Sequence, residues 1–187
     1  FLVTLGGEHS ITPPLVAAAA AHYDDLSILQ IDAHADLRDS YLGNPNSHAC
    51  AMRRSVEYAP CTQVGIRSLS TEEAMIADSL PTTIFYDVKM RDRANWVEDI
   101  VSTLRRRVYI TIDCDGLNPA VMPAVGTPEP GGLSWTELIQ ILRLTFRKRE
   151  VIACDVVELC PISGLAHPNF LCAKLVYKLL TYRLGAP

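Results

Sequence analysis

Much of what defines other protein classes is missing from this chain. No apolar run reaches the roughly eighteen residues of a membrane span, so no transmembrane segment is expected. Basic residues are in deficit, 17 Lys and Arg against 21 Asp and Glu, which argues against a partner whose phosphates need neutralising, such as nucleic acid. None of the six cysteines forms a Cys-x-x-Cys pair, and Cys114, Cys154 and Cys172 lie inside apolar runs. Such cysteines are expected as free buried thiols in a reducing compartment, here the cytoplasm, and not as a disulfide framework. No repeat, low-complexity tract or Gly/Ser linker interrupts the 187 residues, so a single domain over 1–187 is expected. The first residue is Phe1, not Met, and it opens directly on an apolar run, so the expectation is an N-terminally incomplete fragment.

What is present alternates. Short apolar runs at 1–5, 26–31, 62–66, 83–86, 107–112 and 151–157 are rich in Ile, Val, Leu and aromatics, the pattern of strands covered on both faces. Helix-like segments lie between them. "TPPLVAAAAAHYDD" starts with Thr12 as the expected cap, and Ser70/Glu73 and Ser134/Glu137 have capping-box spacing. "RDRANWVEDIVSTLRRR" and "PNFLCAKLVYKLLTYRL" complete the set. The basic clusters at 105–107 and 147–149 then fall at helix C-termini, where they suit the negative end of the dipole. Strand–helix alternation implies an α/β fold, a mostly parallel sheet between two helical layers, with ligands beyond the carboxyl ends of the strands.

Polar residues gather where those strands end. "GGEHS" follows the first run and carries His9; "DAHAD" follows the second and carries Asp32, His34 and Asp36 on alternate positions, which one strand face would bring together. "DCD" follows the run at 107–112, giving Asp113 and Asp115 with Cys114 turned into the layer, and Glu158 follows the run at 151–157. Four carboxylates and two imidazoles at one rim would repel or go unsatisfied without a positive centre. Bridging carboxylates let His9, Asp32, His34, Asp36, Asp113 and Asp115 hold two divalent ions roughly 3.5–4 Å apart. Oxygen and imidazole donors without thiolate favour Mn²⁺, with zinc, iron, cobalt and nickel still open.

Other residues have two readings each. Glu158 can grip a planar cation through paired hydrogen bonds or cap the following turn. His48 can relay a proton to a leaving amine or sit solvated on its loop. Asp155 can support a ligand from behind or close a strand-end hydrogen bond. Four prolines and four glycines between 115 and 134 exclude regular structure there, leaving a fixed loop near the site or a linker.

With these residues in hand, the chain resembles the ureohydrolase family of arginases and agmatinases, through "GGEHS", "DAHADLRD", "SHACAMRR", "ITIDCDGLNP", "GTPEPGGLS", "DVVELCP" and "NFLCAKLVYKLL". That resemblance implies two Mn²⁺ per subunit, one held by His9, Asp32, Asp36 and Asp113, the other by Asp32, His34, Asp113 and Asp115. It implies His48 as proton relay and Glu158 as the group orienting the guanidinium, with Asp36 also in a catalytic role. "ADLRD", "SHACAMRR" and "GTPEPGGL" look more like agmatinases than arginases, so the implied reaction is hydrolysis of agmatine to putrescine and urea, a step of polyamine biosynthesis. Another guanidino substrate (guanidinobutyrate, aminopropylagmatine or arginine), a dimetal phosphoesterase and an inactive metal-binding remnant are the alternatives. The resemblance further implies a homo-oligomer, trimeric or hexameric, and a sheet of eight strands, two of which would precede Phe1. Asn118 stands where the family has a third aspartate, a departure that concerns how the following loop is fixed.

Overall fold

Each of the six apolar runs forms a strand: β1 (Leu2–Leu5), β2 (Leu26–Ile31), β3 (Cys61–Ile66), β4 (Thr82–Tyr86), β5 (Arg107–Asp113) and β6 (Glu150–Val157). The computed structural model describes residues 1–185. The strands form one sheet in the order β1-β6-β5-β2-β3-β4, every pairing parallel. Helices α1 (Thr12–Ala20), α2 (Ala51–Ser55) and α3 (Thr71–Ala77) pack on one face. On the other lie α4 (Asp87–Met90), α5 (Trp96–Thr103), α6 (Trp135–Lys148) and α7 (His167–Leu184). The result is the three-layer α/β architecture that the alternation implies.

Two-sided cover explains the strand sequences. In β2 every residue is buried, with Leu26 and Ile28 facing α1–α3 while Leu29 and Ile31 face α4–α7. Ile110 and Ile112 of β5 are wholly buried, each worth roughly 1.5–3 kcal/mol relative to exposure. β1 lies at an edge, and its Leu2 and Leu5 are exposed.

Strand order fixes where a ligand can sit. From β2 the chain winds outward through β3 to β4, whereas from β5 it winds the opposite way to β6. β2 and β5 are neighbours, so a crevice opens between their carboxyl ends, at the reversal of winding where open parallel sheets bind ligands.

Both capping boxes form, at Ser70/Glu73 and Ser134/Glu137. Thr12 does not cap. Ile11 occupies that position, and the Thr12 hydroxyl is buried, donating to Asp155 Oδ2 at 3.0 Å. The segment 91–107 is not one helix, since α5 begins only at Trp96 and ends at Thr103. The guanidinium of Arg149 closes that end by donating to the carbonyls of Val101 and Leu104 at 2.8 and 3.0 Å. The cluster at 105–107 therefore lies beyond the helix, and Arg107 opens β5 and pairs with Asp25 at 2.8 Å. Arg147 and Lys148 do occupy the last turn of α6.

Candidate metal centre

Asp32, His34 and Asp36 do not converge by strand alternation, because β2 stops at Ile31. The chain turns instead. Asp36 takes a left-handed φ of 54°, and His34 bridges to Ser68 beyond the end of β3. Gly116 permits the facing segment to approach, since a Cβ there would lie 2.7 Å from the Asp32 nitrogen. Asp113 closes β5 and Asp115 sits in the short 3-10 turn after it, while Cys114 turns inward against Cys172 at 3.5 Å. His9 opens a short 3-10 turn after β1.

These turns bring six side chains together in two overlapping groups. His9 Nδ1 lies 3.1 Å from Asp36 Oδ2 and 3.3 Å from both Asp32 Oδ2 and Asp113 Oδ2. His34 Nδ1 lies 3.0 Å from Asp115 Oδ2 and 3.7 Å from Asp32 Oδ1. Asp32 thus turns one oxygen toward each imidazole and belongs to both groups that could hold an ion.

The donors fit a cation. His9 Nδ1 is buried and makes no hydrogen bond, although three carboxylate oxygens face it. The reason lies behind the ring. His9 Nε2 meets Thr111 Oγ1 at 2.9 Å, and that hydroxyl donates to Asp155 Oδ1 at 2.6 Å. Thr111 therefore accepts from Nε2–H, which leaves Nδ1 as the nitrogen that faces the carboxylates, with a lone pair when the ring is neutral and an N–H when it is protonated. Tyr109 and Thr12 donate to the other oxygen of Asp155 at 2.7 and 3.0 Å, so Asp155 anchors the chain that orients the His9 ring.

The same crowding shifts protonation. Burial, then the charge of Asp32, pushes Asp36 up to about 7. Burial opposes the charged form of His34, yet Asp115 and Asp32 outweigh it and raise the ring to about 11. His9 is likewise raised well above the ordinary imidazole range, the carboxylates of Asp113, Asp32 and Asp36 offsetting its burial. The cluster demands positive charge, and protons supply it when metal does not.

A stability profile follows. A carboxyl raised from 3.8 to about 7 removes folded-state stability as pH climbs through that window. An imidazole raised from 6.5 to about 11 contributes fully below 6.5 and loses that contribution as pH climbs toward 11. Both act in one direction. With chelator present, the melting temperature should fall steadily from about pH 5 to about pH 9, and excess Mn²⁺ should restore most of the loss at the alkaline end. A flat chelated profile would show that these side chains are not crowded as described.

A cavity of about 540 Å³ opens onto the cluster, and His9, His34, Asp36, Asp113, Asp115, His48 and Glu158 all reach its wall. Glu158 has a left-handed φ of 63°, and its Oε1 accepts from the His9 main-chain N–H at 2.7 Å. The turn-holding role is therefore present, and the carboxylate still faces the cavity. Burial pushes its pKa up. His48 is half-exposed, with Nδ1 3.7 Å from Glu8 Oε2. The loop after Asp115 is fixed, with Thr127 donating to Asp115 Oδ2 at 3.1 Å and Asn118 Oδ1 accepting from the Ala120 amide at 2.9 Å. A second cavity, about 560 Å³ and lined by Trp135, Phe170 and Lys174 among others, has no carboxylate on its wall among the described residues.

Besides Thr111, two further residues escape a reading based on strand ends. Gln30 donates to Asp32 Oδ2 at 2.7 Å, and Gln63, its partner in register on β3, donates to Gln30 Oε1 at 2.6 Å. The signal was a glutamine interrupting each of two apolar runs that become neighbouring strands.

The arginase family profile matches residues 1–181. The N(1)-aminopropylagmatine ureohydrolase of Synechocystis sp. is 42% identical over 185 residues, covering 97% of this chain and 60% of that protein. The agmatinase of Pyrococcus horikoshii is 38% identical, covering 98% of this chain and 62% of that protein. Among solved structures, the agmatine ureohydrolase of Thermoplasma volcanium superposes with a TM-score of 0.85 at 35% identity, covering 97% of this chain and 61% of that one. The chain thus spans about 60% of the length of the relatives it matches.

Proposed function

The chain belongs to the arginase family, and from that premise we propose that it is a ureohydrolase that uses two Mn²⁺ to release urea from an agmatine-type guanidino substrate. The observation that carries this reading is the shared Asp32, whose two oxygens face two separate imidazoles. His9, Asp32, Asp36 and Asp113 would hold one ion, and Asp32, His34, Asp113 and Asp115 the other. Bound, the pair supplies a water acidic enough to attack near neutral pH.

The chain's own groups do the rest. Glu158, on the cavity wall, offers a planar guanidinium a charge-assisted partner and sets the face presented to the metals. Asp36 lines the cavity, and burial with the charge of Asp32 pushes its carboxyl up to about 7, which suits it to take a proton from the attacking water near neutral pH. His48, half-exposed on the same wall, returns a proton to the leaving amine.

The substrate is N(1)-aminopropylagmatine ahead of agmatine, an order supported by the 42% and 38% identities to relatives so named. One domain, association as a trimer or hexamer, and a place in polyamine biosynthesis belong to the same reading. The test is urea release, with Mn²⁺ supplied, from N(1)-aminopropylagmatine, agmatine, guanidinobutyrate and arginine. Expected is release from the first two well above the others. Phosphate release from phosphate esters without urea from any guanidino compound would transfer the site to the phosphoesterase class.

A further inference from the structure

We infer that Arg67 is a positioning residue for one ion only, the one assigned to His34 and Asp115; this rests on the two-ion reading above. Arg67 directly follows β3, and its half-buried guanidinium is ringed by main-chain carbonyls. Nε donates to Pro130 O at 3.0 Å and Nη1 to Gly65 O at 3.1 Å. Nη2 reaches Asp115 O at 2.7 Å, Glu129 O at 3.0 Å and Leu117 O at 3.4 Å. One side chain thereby ties together the end of β3, the turn that carries Asp115, and the loop at 129–130.

That loop is wrapped around the guanidinium. Gly131 and Gly132 adopt φ of +89° and +94°, and a Cβ on Gly132 would lie 2.8 Å from Arg67 Nη2. A side chain there would displace the clamp.

The side-chain contacts of this clamp gather on the segment that carries Asp115 and on the groups that face His34. The Asp115 peptide is held directly. Thr127, in the same loop, donates to Asp115 Oδ2, the oxygen that faces His34. Glu129, whose carbonyl Arg67 holds, places its Oε1 3.8 Å from His34 Nε2. The guanidinium makes no hydrogen bond to His9 or Asp36, the two residues assigned to the other ion alone. The rigid fork of five donors is what the role needs, since a lysine has three donors at one point and cannot span three segments.

Arg67→Lys keeps the charge and most of the stem, which favours a folded variant. Titrated with Mn²⁺ and followed by calorimetry and electron paramagnetic resonance, the parent chain should bind two ions and show the signature of a spin-coupled pair. Arg67→Lys should bind its first ion within about twofold of the parent and its second about 10–100-fold more weakly, the range for changes behind a ligand. An uncoupled Mn²⁺ signal should therefore persist beyond one equivalent. Arg91→Ala serves as the comparison. Arg91 braces the same loop from outside, through Gly132 O at 3.2 Å and through Asp87 and Glu137, without reaching Asp115. It should bind both ions as the parent does. Parent-like binding of both ions by Arg67→Lys, parallel weakening of both, or the same selective loss in Arg91→Ala would each overturn the assignment. A parent that binds fewer than two ions would instead remove the two-ion reading on which it stands.

Discussion

Asp32→Asn is expected to lose both ions and, with them, urea release. The substitution is nearly isosteric, and the new amide can still accept from the His34 N–H that meets Asp32 Oδ1 at 2.7 Å. What disappears is a fully buried negative charge common to both groups of donors. Asp32 is also the carboxylate most firmly ionised. Burial opposes its charge, yet His34 and His9 hold it well below the ordinary carboxylate range. Residues behind a ligand cost roughly 10–100-fold in metal affinity when changed, so losing a ligand shared by two ions should exceed that at each site. Elemental analysis after dialysis against micromolar Mn²⁺ and a urea assay give the two readouts. A variant that retained two equivalents of metal would sever the link between Asp32 and the ions.

Glu158→Gln should separate substrate binding from metal binding. Glutamine keeps an oxygen able to accept from the His9 amide, now bonded at 2.7 Å, so the turn carrying His9 should hold its place. The charge proposed to face the guanidinium is removed. A hydrogen bond to a charged group contributes about 1.5–3 kcal/mol, so kcat/KM should fall roughly ten- to a hundredfold, with metal content unchanged. Unaltered kinetics on N(1)-aminopropylagmatine and agmatine would take Glu158 out of the substrate site, leaving it only its contact with His9.

The strands were legible in the sequence because a sheet covered on both faces writes itself as continuous apolar runs, as in Leu26–Ile31 and Arg107–Asp113. Two helix starts were equally plain, since Ser70/Glu73 and Ser134/Glu137 act within one turn of chain. Thr12 and the 105–107 cluster misled because their partners are distant. Asp155 claims the Thr12 hydroxyl, and Arg149 takes the carbonyls that end α5. The candidate site was legible as residue types at strand ends, yet the means of convergence was not. A left-handed Asp36 and a close approach at Gly116 depend on segments far apart in sequence. Gln30, Gln63 and Thr111 were hidden for a related reason: each supports the cluster from inside a strand.

The reversal of winding between β2 and β5 has a kinetic corollary. Asp32, His34 and Asp36 belong to the half of the sheet that grows toward β4, whereas His9, Asp113 and Asp115 come from β1 and β5 on the opposite flank. Neither flank alone offers a complete nest of donors, so ion capture on the two-ion reading would wait until both have docked. The cations would then act as a late rivet across the seam, slowing its reopening far more than they hasten its closure.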